Sequence, residues 1–185
     1  HVEEFRSHIA KADVFVISME LAFPAVLAAL KIGREEGVFI VLNPAPATKL
    51  PPESWTMFDV ITPNRTEAPI LLGLDSNHGL SPRELIAQMR LKTKAKIVMT
   101  LGSEGSLVDD GNSILAIPAF KPKKVVDTTG AGDSFTSALA VAISEGKDFH
   151  ECVRFATAAG AHSVGIAGVI DALPTRKEIQ ACLAQ

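Results

Sequence analysis

Short apolar runs alternate along the chain with longer segments of helical periodicity. Four runs, ADVFVIS (12–18), VFIVL (38–42), VIT (60–62) and KIVMTL (96–101), predict buried strands because each is brief and rich in β-branched residues. Helical patterns predict helices over residues 23–36 and 65–72, from 81–82 onward, and over 132–144, 149–164 and 175–183. This alternation predicts an α/β fold, a mostly parallel sheet with helices on both faces that forms one unit over residues 1–185.

Local signals set several boundaries. Gly37 and Gly73 stand where the end of a helix favours a left-handed residue. Ser81, followed by a proline and then by Glu84, predicts a capping box at the start of a helix. The run SLVDDGNSILAIPAF (106–120) predicts a hairpin, in which Asp109 and Asp110 serve as turn residues.

The composition is that of an ordinary globular protein. The 185 residues are 47% hydrophobic and 21% charged, and their net charge of −3 argues against partners such as nucleic acid or an anionic membrane. The basic residues Lys121, Lys123 and Lys124 are interpreted as a solvated loop. Cys152 and Cys182 form no C-x-x-C motif, so they are predicted to be buried thiols. With no long apolar run and no signal peptide in the sequence, we expect a cytoplasmic protein.

Candidate chemistry follows the predicted strands, where α/β sheets bind ligands. The segment DTTGAGDSF (127–135) brings a glycine-rich turn into a helix, which leaves backbone N–H groups free to bind an anion. Asp133 in that turn would repel an anion, so its presence needs a separate reason. A dinucleotide-binding fold is disfavoured because Phe135 stands where the third glycine belongs, and neither a Walker P-loop nor a G-x-S-x-G elbow is present.

DTTGAGDSF resembles the signature of ribokinase-like (PfkB-type) carbohydrate kinases. The segments LNPAPATKLP (42–51), DVITPNRTEAPILLG (59–73) and TLGSEGSLV (100–108) resemble other parts of that family, in the same order. The resemblance implies a three-layer sandwich, of which residues 1–185 would be the C-terminal, nucleotide-binding and catalytic part, without the N-terminal part and its lid. By itself, such a part is expected to be inactive.

The family's site residues carry over position by position. Gly130, Ala131 and Gly132 would form an anion hole, and Asp133 would contact the sugar and act as the general base. Asn64 and Glu67 would hold Mg²⁺ through water, although capping of a helix explains the same pair and both roles can hold together.

The remaining assignments concern the nucleotide, the sugar and a monovalent cation. Thr100, Gly102, Gly105 and Thr157 would contact ATP, and Glu20 would contact the sugar. The residues implied for a potassium site are Asp127, Thr129, Ser163, Ile166 and Gly168. Ala172 stands where a serine oxygen is expected, which argues against strong potassium activation.

The resemblance implies a kinase that transfers the γ-phosphate of ATP to a primary hydroxyl of a sugar, and NPAPA (43–47) favours ribose. A fructokinase, a nucleoside kinase or a deoxygluconate kinase remain alternatives, as does a truncated non-catalytic nucleotide-binding module. A homodimer formed through the lid is a further expectation.

Overall fold

A computed structural model describes residues 1–122 and 124–185. Within those residues the strands are β1 Val14–Ser18, β2 Phe39–Asn43, β3 Val60–Ile61, β4 Lys96–Thr100, β5 Ser106–Asp109 and β6 Ile114–Ile117. The α-helices are α1 Arg6–Ile9, α2 Phe23–Glu35, α3 Glu67–Leu72, α4 Pro82–Arg90, α5 Ala131–Ser144, α6 Phe149–Ser163 and α7 Arg176–Leu183. Short 3₁₀-helices cover Val2–Phe5, Pro52–Thr56 and Gly102–Glu104.

The strands form one sheet in the order β1-β2-β3-β4-β5-β6. The first four strands are parallel to one another, as continuous apolar strands predict. Residues 110–113 join β5 to its neighbour β6, a connection so short that the two strands must be antiparallel. Asp110 accepts bonds from Asn112 and Ser113, which confirms it as a turn residue, whereas Asp109 ends β5 and its side chain accepts the N–H of Gly111 in the turn.

The centre of the sheet is buried on both faces. Residues 40–42 of β2 and 97–99 of β4 are fully inaccessible to solvent. Because successive side chains of a strand point to opposite faces, both faces must be covered there. β1 differs from the prediction of a buried strand, since Val16 is 39% exposed. In the described chain β1 pairs with β2 alone, so it forms an edge of the sheet.

The chain divides into two compact units. The first comprises His1–Thr100 and Leu107–Leu115, and the second Leu101–Ser106 and Ala116–Gln185. In the first unit α2 packs against β1 and β2, and α4 packs against β4; in the second, α6 packs against α5 and α7. The boundary falls within β5 and β6 themselves, so the single α/β unit stays a prediction.

The cysteines, the basic loop residues and the lengths of the helices bear on the expectations from composition. Cys152 and Cys182 are buried free thiols, as predicted. Lys121 and Lys124 are exposed, whereas Lys123 lies outside the described residues. None of the described helices combines the length and the apolar character that crossing a membrane requires.

Candidate functional site

Asn64 and Thr100 lie side by side just beyond the ends of β3 and β4. The two residues form a parallel bridge, and the N–H of Thr100 donates to the carbonyl of Pro63 over 2.9 Å. The strand register therefore brings together two residues that the sequence assigned separately to a metal and to a nucleotide.

Asn64 and Glu67 form a reciprocal cap at the start of α3. The side-chain oxygen of Asn64 accepts hydrogen bonds from the N–H of Glu67 (2.9 Å) and from the N–H and hydroxyl of Thr66. One carboxylate oxygen of Glu67 accepts the N–H of Asn64 over 2.8 Å. The predicted capping role is thus confirmed.

The Glu67 carboxylate keeps capacity for a further ligand. Its side chain is half-buried, and its second oxygen, Oε1, has no hydrogen-bond donor in the described part of the chain. Burial raises the pKa of Glu67, and the hydrogen bond from the N–H of Asn64 opposes this rise. A carboxylate with one fixed and one open oxygen can accept a water molecule or a cation.

Two further polar residues lie at or just beyond the ends of the neighbouring strands β1 and β2. Glu20 is exposed in the turn after β1. Asn43, which ends β2, is buried, and its carbonyl accepts the N–H of Met19 over 3.1 Å. The side-chain amide of Asn43 has no hydrogen bond with any described residue. The sequence reasoning did not single out Asn43, although a polar residue closing an apolar strand is a signal that could have found it.

The loop after β4, which the sequence assigns to the nucleotide, contains two glycines in different surroundings. The N–H of Leu101 donates to the carbonyl of Gly105 over 2.7 Å. Gly105 has a φ of 92°, and a Cβ added there would lie 2.0 Å from the carbonyl oxygen of Ile117. The chain's own backbone therefore requires this glycine. Gly102 has a φ of 60° but faces open space, so its contact with a nucleotide stays a prediction.

The start of α5 leaves backbone donors free. Gly130 is the N-cap residue with a φ of 76°, and the helix begins at Ala131, one residue earlier than predicted. The N–H of Ala131 donates to Thr128, whereas those of Gly132 and Asp133 have no acceptor within residues 1–122 and 124–185. Two unpaired N–H groups at the positive end of a 14-residue helix can accept an anion, and the anion hole itself stays a prediction.

Asp133 is not used as a helix cap. Its side chain is exposed and makes no hydrogen bond or ion pair with the described residues. Other acidic residues at helix starts behave differently: Asp148 accepts the N–H of His150, Glu84 that of Ser81, and Glu178 that of Thr175. No partner among residues 1–122 and 124–185 therefore gives Asp133 a structural role that would explain its position.

Asp127 joins two loops of the second unit. One carboxylate oxygen accepts the hydroxyl (2.7 Å) and the N–H (2.9 Å) of Thr129, and the other accepts the N–H of Gly168 over 3.3 Å. These bonds, led by the Thr129 hydroxyl, hold the pKa of Asp127 below its ordinary value. The Ser163 carbonyl accepts the N–H of Ile166. Among the described residues, no three His, Cys, Asp or Glu residues cluster as metal ligands.

Thr157 was assigned to the nucleotide pocket from the sequence. Its side chain is buried in α6, and its hydroxyl donates to the carbonyl of Val153 over 2.8 Å. This bond satisfies the hydroxyl within its own helix, so contact with a nucleotide stays a prediction.

Comparisons with known proteins agree on one family. The model of the pfkB family carbohydrate kinases matches residues 1–176. A ribokinase of Haemophilus influenzae is 36% identical over 177 residues, covering 96% of this chain and 58% of the relative. A deoxyribokinase of Salmonella typhi is 27% identical and covers 99% of this chain and 60% of the relative.

A solved structure of Arabidopsis thaliana ribokinase complexed with ribose and ATP superposes with a TM-score of 0.89 at 31% identity. It covers 99% of this chain and 59% of that protein, so the chain spans somewhat more than half the length of these relatives. The match confirms the predicted mostly parallel, ribokinase-like fold. The chain belongs to the pfkB family of carbohydrate kinases.

Proposed function

We propose that the protein carrying this chain is an ATP-dependent sugar kinase that phosphorylates a primary hydroxyl, with ribose as the acceptor. The observation that carries the proposal lies at the start of α5. There, the exposed Asp133 carboxylate, which has no partner among the described residues, belongs to the same helical turn as the free N–H groups of Gly132 and Asp133. A proton acceptor beside an anion cradle is the arrangement that phosphoryl transfer requires.

The reaction proposed at this turn moves one proton and one phosphoryl group. The Asp133 carboxylate takes the proton of the sugar hydroxyl while the hydroxyl oxygen attacks the γ-phosphorus of ATP. The bond from that phosphorus to the bridging oxygen breaks, and ADP leaves with the electron pair. The free N–H groups stabilise the negative charge on the phosphoryl oxygens during transfer. Ala131, whose N–H donates to Thr128, contributes less to this cradle than its neighbours.

The first unit supplies groups that fit a magnesium site. Mg²⁺ prefers oxygen ligands and retains several waters, and the open Oε1 atom of Glu67 can accept one of those waters. The Asn64 oxygen is already occupied by three donors, so its part is to orient Glu67. Bound Mg²⁺ would neutralise charge on the phosphates. Thr100, Gly102 and Gly105 are proposed to contact the nucleotide.

A monovalent cation is proposed to bind beside the anion cradle with modest effect on the rate. Asp127 is charged and holds Thr129 and Gly168 in place, and their carbonyls, with those of Ser163 and Ile166, are the candidate ligands. Ala172 is buried and offers no side-chain oxygen.

Ribose is favoured because ribokinases are among the relatives above 30% identity, one of them with a structure containing ribose and ATP. The deoxyribokinase relative makes deoxyribose the natural competitor. Glu20 is proposed to contact the sugar. A cytoplasmic location and a homodimer formed through a lid stay predictions.

The test is ADP release by the complete protein with ATP and Mg²⁺, measured with ribose, deoxyribose, fructose, a nucleoside and deoxygluconate. We expect ribose to give the highest kcat/KM. A higher kcat/KM for another sugar would change the proposed acceptor but would still support the proposed kinase activity. Nucleotide binding without ADP release for any acceptor would instead support a non-catalytic binding module.

A further inference from the structure

A cleft of about 780 Å³ lies in the first unit at the edge of the sheet where the parallel strands begin. Its wall includes Phe39 and Lys96, the first residues of β2 and β4, and Asp59, which precedes β3. Asn64 and Thr100 stand at the opposite ends of β3 and β4. A five-residue strand is roughly 16 Å long at about 3.3 Å per residue, so the cleft is separate from those two residues.

The wall of the cleft carries more positive than negative charge. It contains five cationic and two acidic side chains, in a chain whose overall charge is negative. The cationic residues are Arg34, Arg90, Lys92, Lys94 and Lys96; the acidic residues are Asp59 and Asp110. Such a local excess of positive charge between protein walls attracts anions.

Arg34 is held in place by a hydrogen bond from one nitrogen, and its other two nitrogens keep free donors within the described residues. Its Nη1 atom donates to Oδ1 of Asp59 over 2.7 Å, and Oδ2 of Asp59 accepts the N–H of Ile40, also over 2.7 Å. The Nε and Nη2 atoms of Arg34 make no hydrogen bond with the described residues, and the side chain is 35% exposed. The guanidinium is therefore oriented in advance, which lowers the entropy cost of binding an anion.

Arg90 contributes charge to the wall, but each of its three guanidinium nitrogens already donates a hydrogen bond. Its guanidinium donates to the Asp109 carboxylate over 2.8 Å and to the carbonyls of Thr93 and Asp109. Arg90 therefore holds parts of the protein together through all three nitrogens, whereas Arg34 does so through one nitrogen.

Lys92 and Lys94 supply exposed positive charge. Both side chains are exposed and form no ion pair within the described ranges, while Thr93 between them is buried and accepts the N–H of Ala95. Leu91, which is 80% exposed, and the half-buried Phe39 add apolar surface to the same wall. Cations beside an apolar wall suit a phosphate carried on a carbon skeleton better than a bare inorganic ion.

We propose that this cleft binds a small organic phosphate, independently of the residues assigned to phosphoryl transfer. Its volume falls within the range of about 300–1,000 Å³ that is usual for small-molecule sites. The ammonium groups of Lys92 and Lys94 and the free donors of Arg34 would make charge-assisted hydrogen bonds to phosphate oxygens. The sequence alone did not reveal this cluster, because Arg34 and the 90–96 segment come together only through the order of the strands.

The experiment follows backbone amide signals of the complete protein by NMR during titration with fructose 1,6-bisphosphate. We expect shifts at Phe39 and at residues 91–96. The Lys92→Ala/Lys94→Ala variant should raise the Kd for these shifts about tenfold. The control Lys31→Ala/Lys177→Ala loses the same charge at exposed positions outside the cleft and should change the Kd by less than about twofold.

Three outcomes would overturn the proposal. The first is a set of shifts confined to residues 64–67 and 130–134. The second is an equal loss of affinity in the cleft and control variants, which would indicate a nonspecific charge effect. The third is an equal response to unphosphorylated fructose.

Discussion

The Asp127 carboxylate accepts a hydrogen bond from the N–H of Gly168, 41 residues further along the chain, over 3.3 Å. Through its other oxygen the same carboxylate fixes the turn at Thr129, which immediately precedes Gly130, the N-cap residue of α5. The charge of Asp127 therefore helps to hold the turn that leads into the proposed anion cradle.

Asp127 should make the stability of the protein depend on acid. Because its pKa is lower in the folded than in the unfolded state, its contribution is present at neutral pH and is lost as the pH falls through the folded value. Asp127→Asn keeps an acceptor for the turn but cannot titrate. We expect urea unfolding of this variant to depend less on pH, below the ordinary pKa of an aspartate, than that of the natural protein. Equal pH dependence in both proteins would refute this assignment.

Asp133→Asn should abolish most turnover without unfolding the protein. The change keeps the shape of the side chain but removes the proton acceptor, so kcat should fall by about 10²–10⁴-fold. ATP affinity should hold or rise slightly, because a negative charge near the phosphates is gone. Asp148→Asn at the start of α6 is the matched control, and it should leave kcat unchanged. A folded Asp133→Asn enzyme that retains most of its turnover would exclude Asp133 as the general base.

Glu67→Gln separates the metal role of Glu67 from its cap. The glutamine carbonyl can still accept the N–H of Asn64, so the free energy of unfolding should change little, whereas Glu67→Ala should lose about 0.5–2 kcal/mol. Without the carboxylate, the Mg²⁺ concentration that gives half-maximal activity should rise.

The control for Glu67→Gln is Glu84→Gln in the capping box of α4, which should not alter the Mg²⁺ titration. An unchanged Mg²⁺ response of Glu67→Gln would leave this residue with its capping role alone.

The pKa of Glu67 predicts a second effect of Glu67→Gln. Because burial raises this pKa in the folded state, the stability contribution of Glu67 is present at low pH and is lost as the pH rises through the folded value. Urea unfolding measured over this pH range should therefore show a smaller loss of stability with rising pH in Glu67→Gln than in the natural protein, since glutamine does not titrate.

Gly105→Ala should destabilise the fold more than Gly102→Ala. At Gly105 the new Cβ would meet the Ile117 carbonyl and occupy a strained φ, so the cost should be at least about 3 kcal/mol. At Gly102 the Cβ faces open space, which leaves only the left-handed backbone cost of about 1–2 kcal/mol. Chemical denaturation of both variants measures the difference, and a reversed order would contradict the packing argument.

Potassium should accelerate the reaction only modestly. Rates measured in potassium, sodium and a bulky organic cation should be similar, since Ala172 provides no ligand oxygen. A large acceleration specific to potassium would show that backbone carbonyls and Asp127 suffice.

Features that depend on neighbours along the chain could be predicted from the sequence alone. Apart from the short α1, hydrophobic periodicity predicted the strands and α-helices to within a few residues, and side chains three residues apart predicted the caps at Ser81 and Asn64. The glycine-rich turn before Asp133 likewise indicated an anion cradle from local chemistry alone.

Tertiary structure decided what depends on residues far apart in the chain. The pairing of Asn64 with Thr100, the contact of Asp127 with Gly168 and the collision that makes Gly105 obligatory all follow from strand order and loop packing. The exposure of Val16 has the same origin, because an apolar run reads alike in a central strand and at an edge. Periodicity reports which faces of an element are apolar, but not which partner covers them, since that depends on contacts between distant segments.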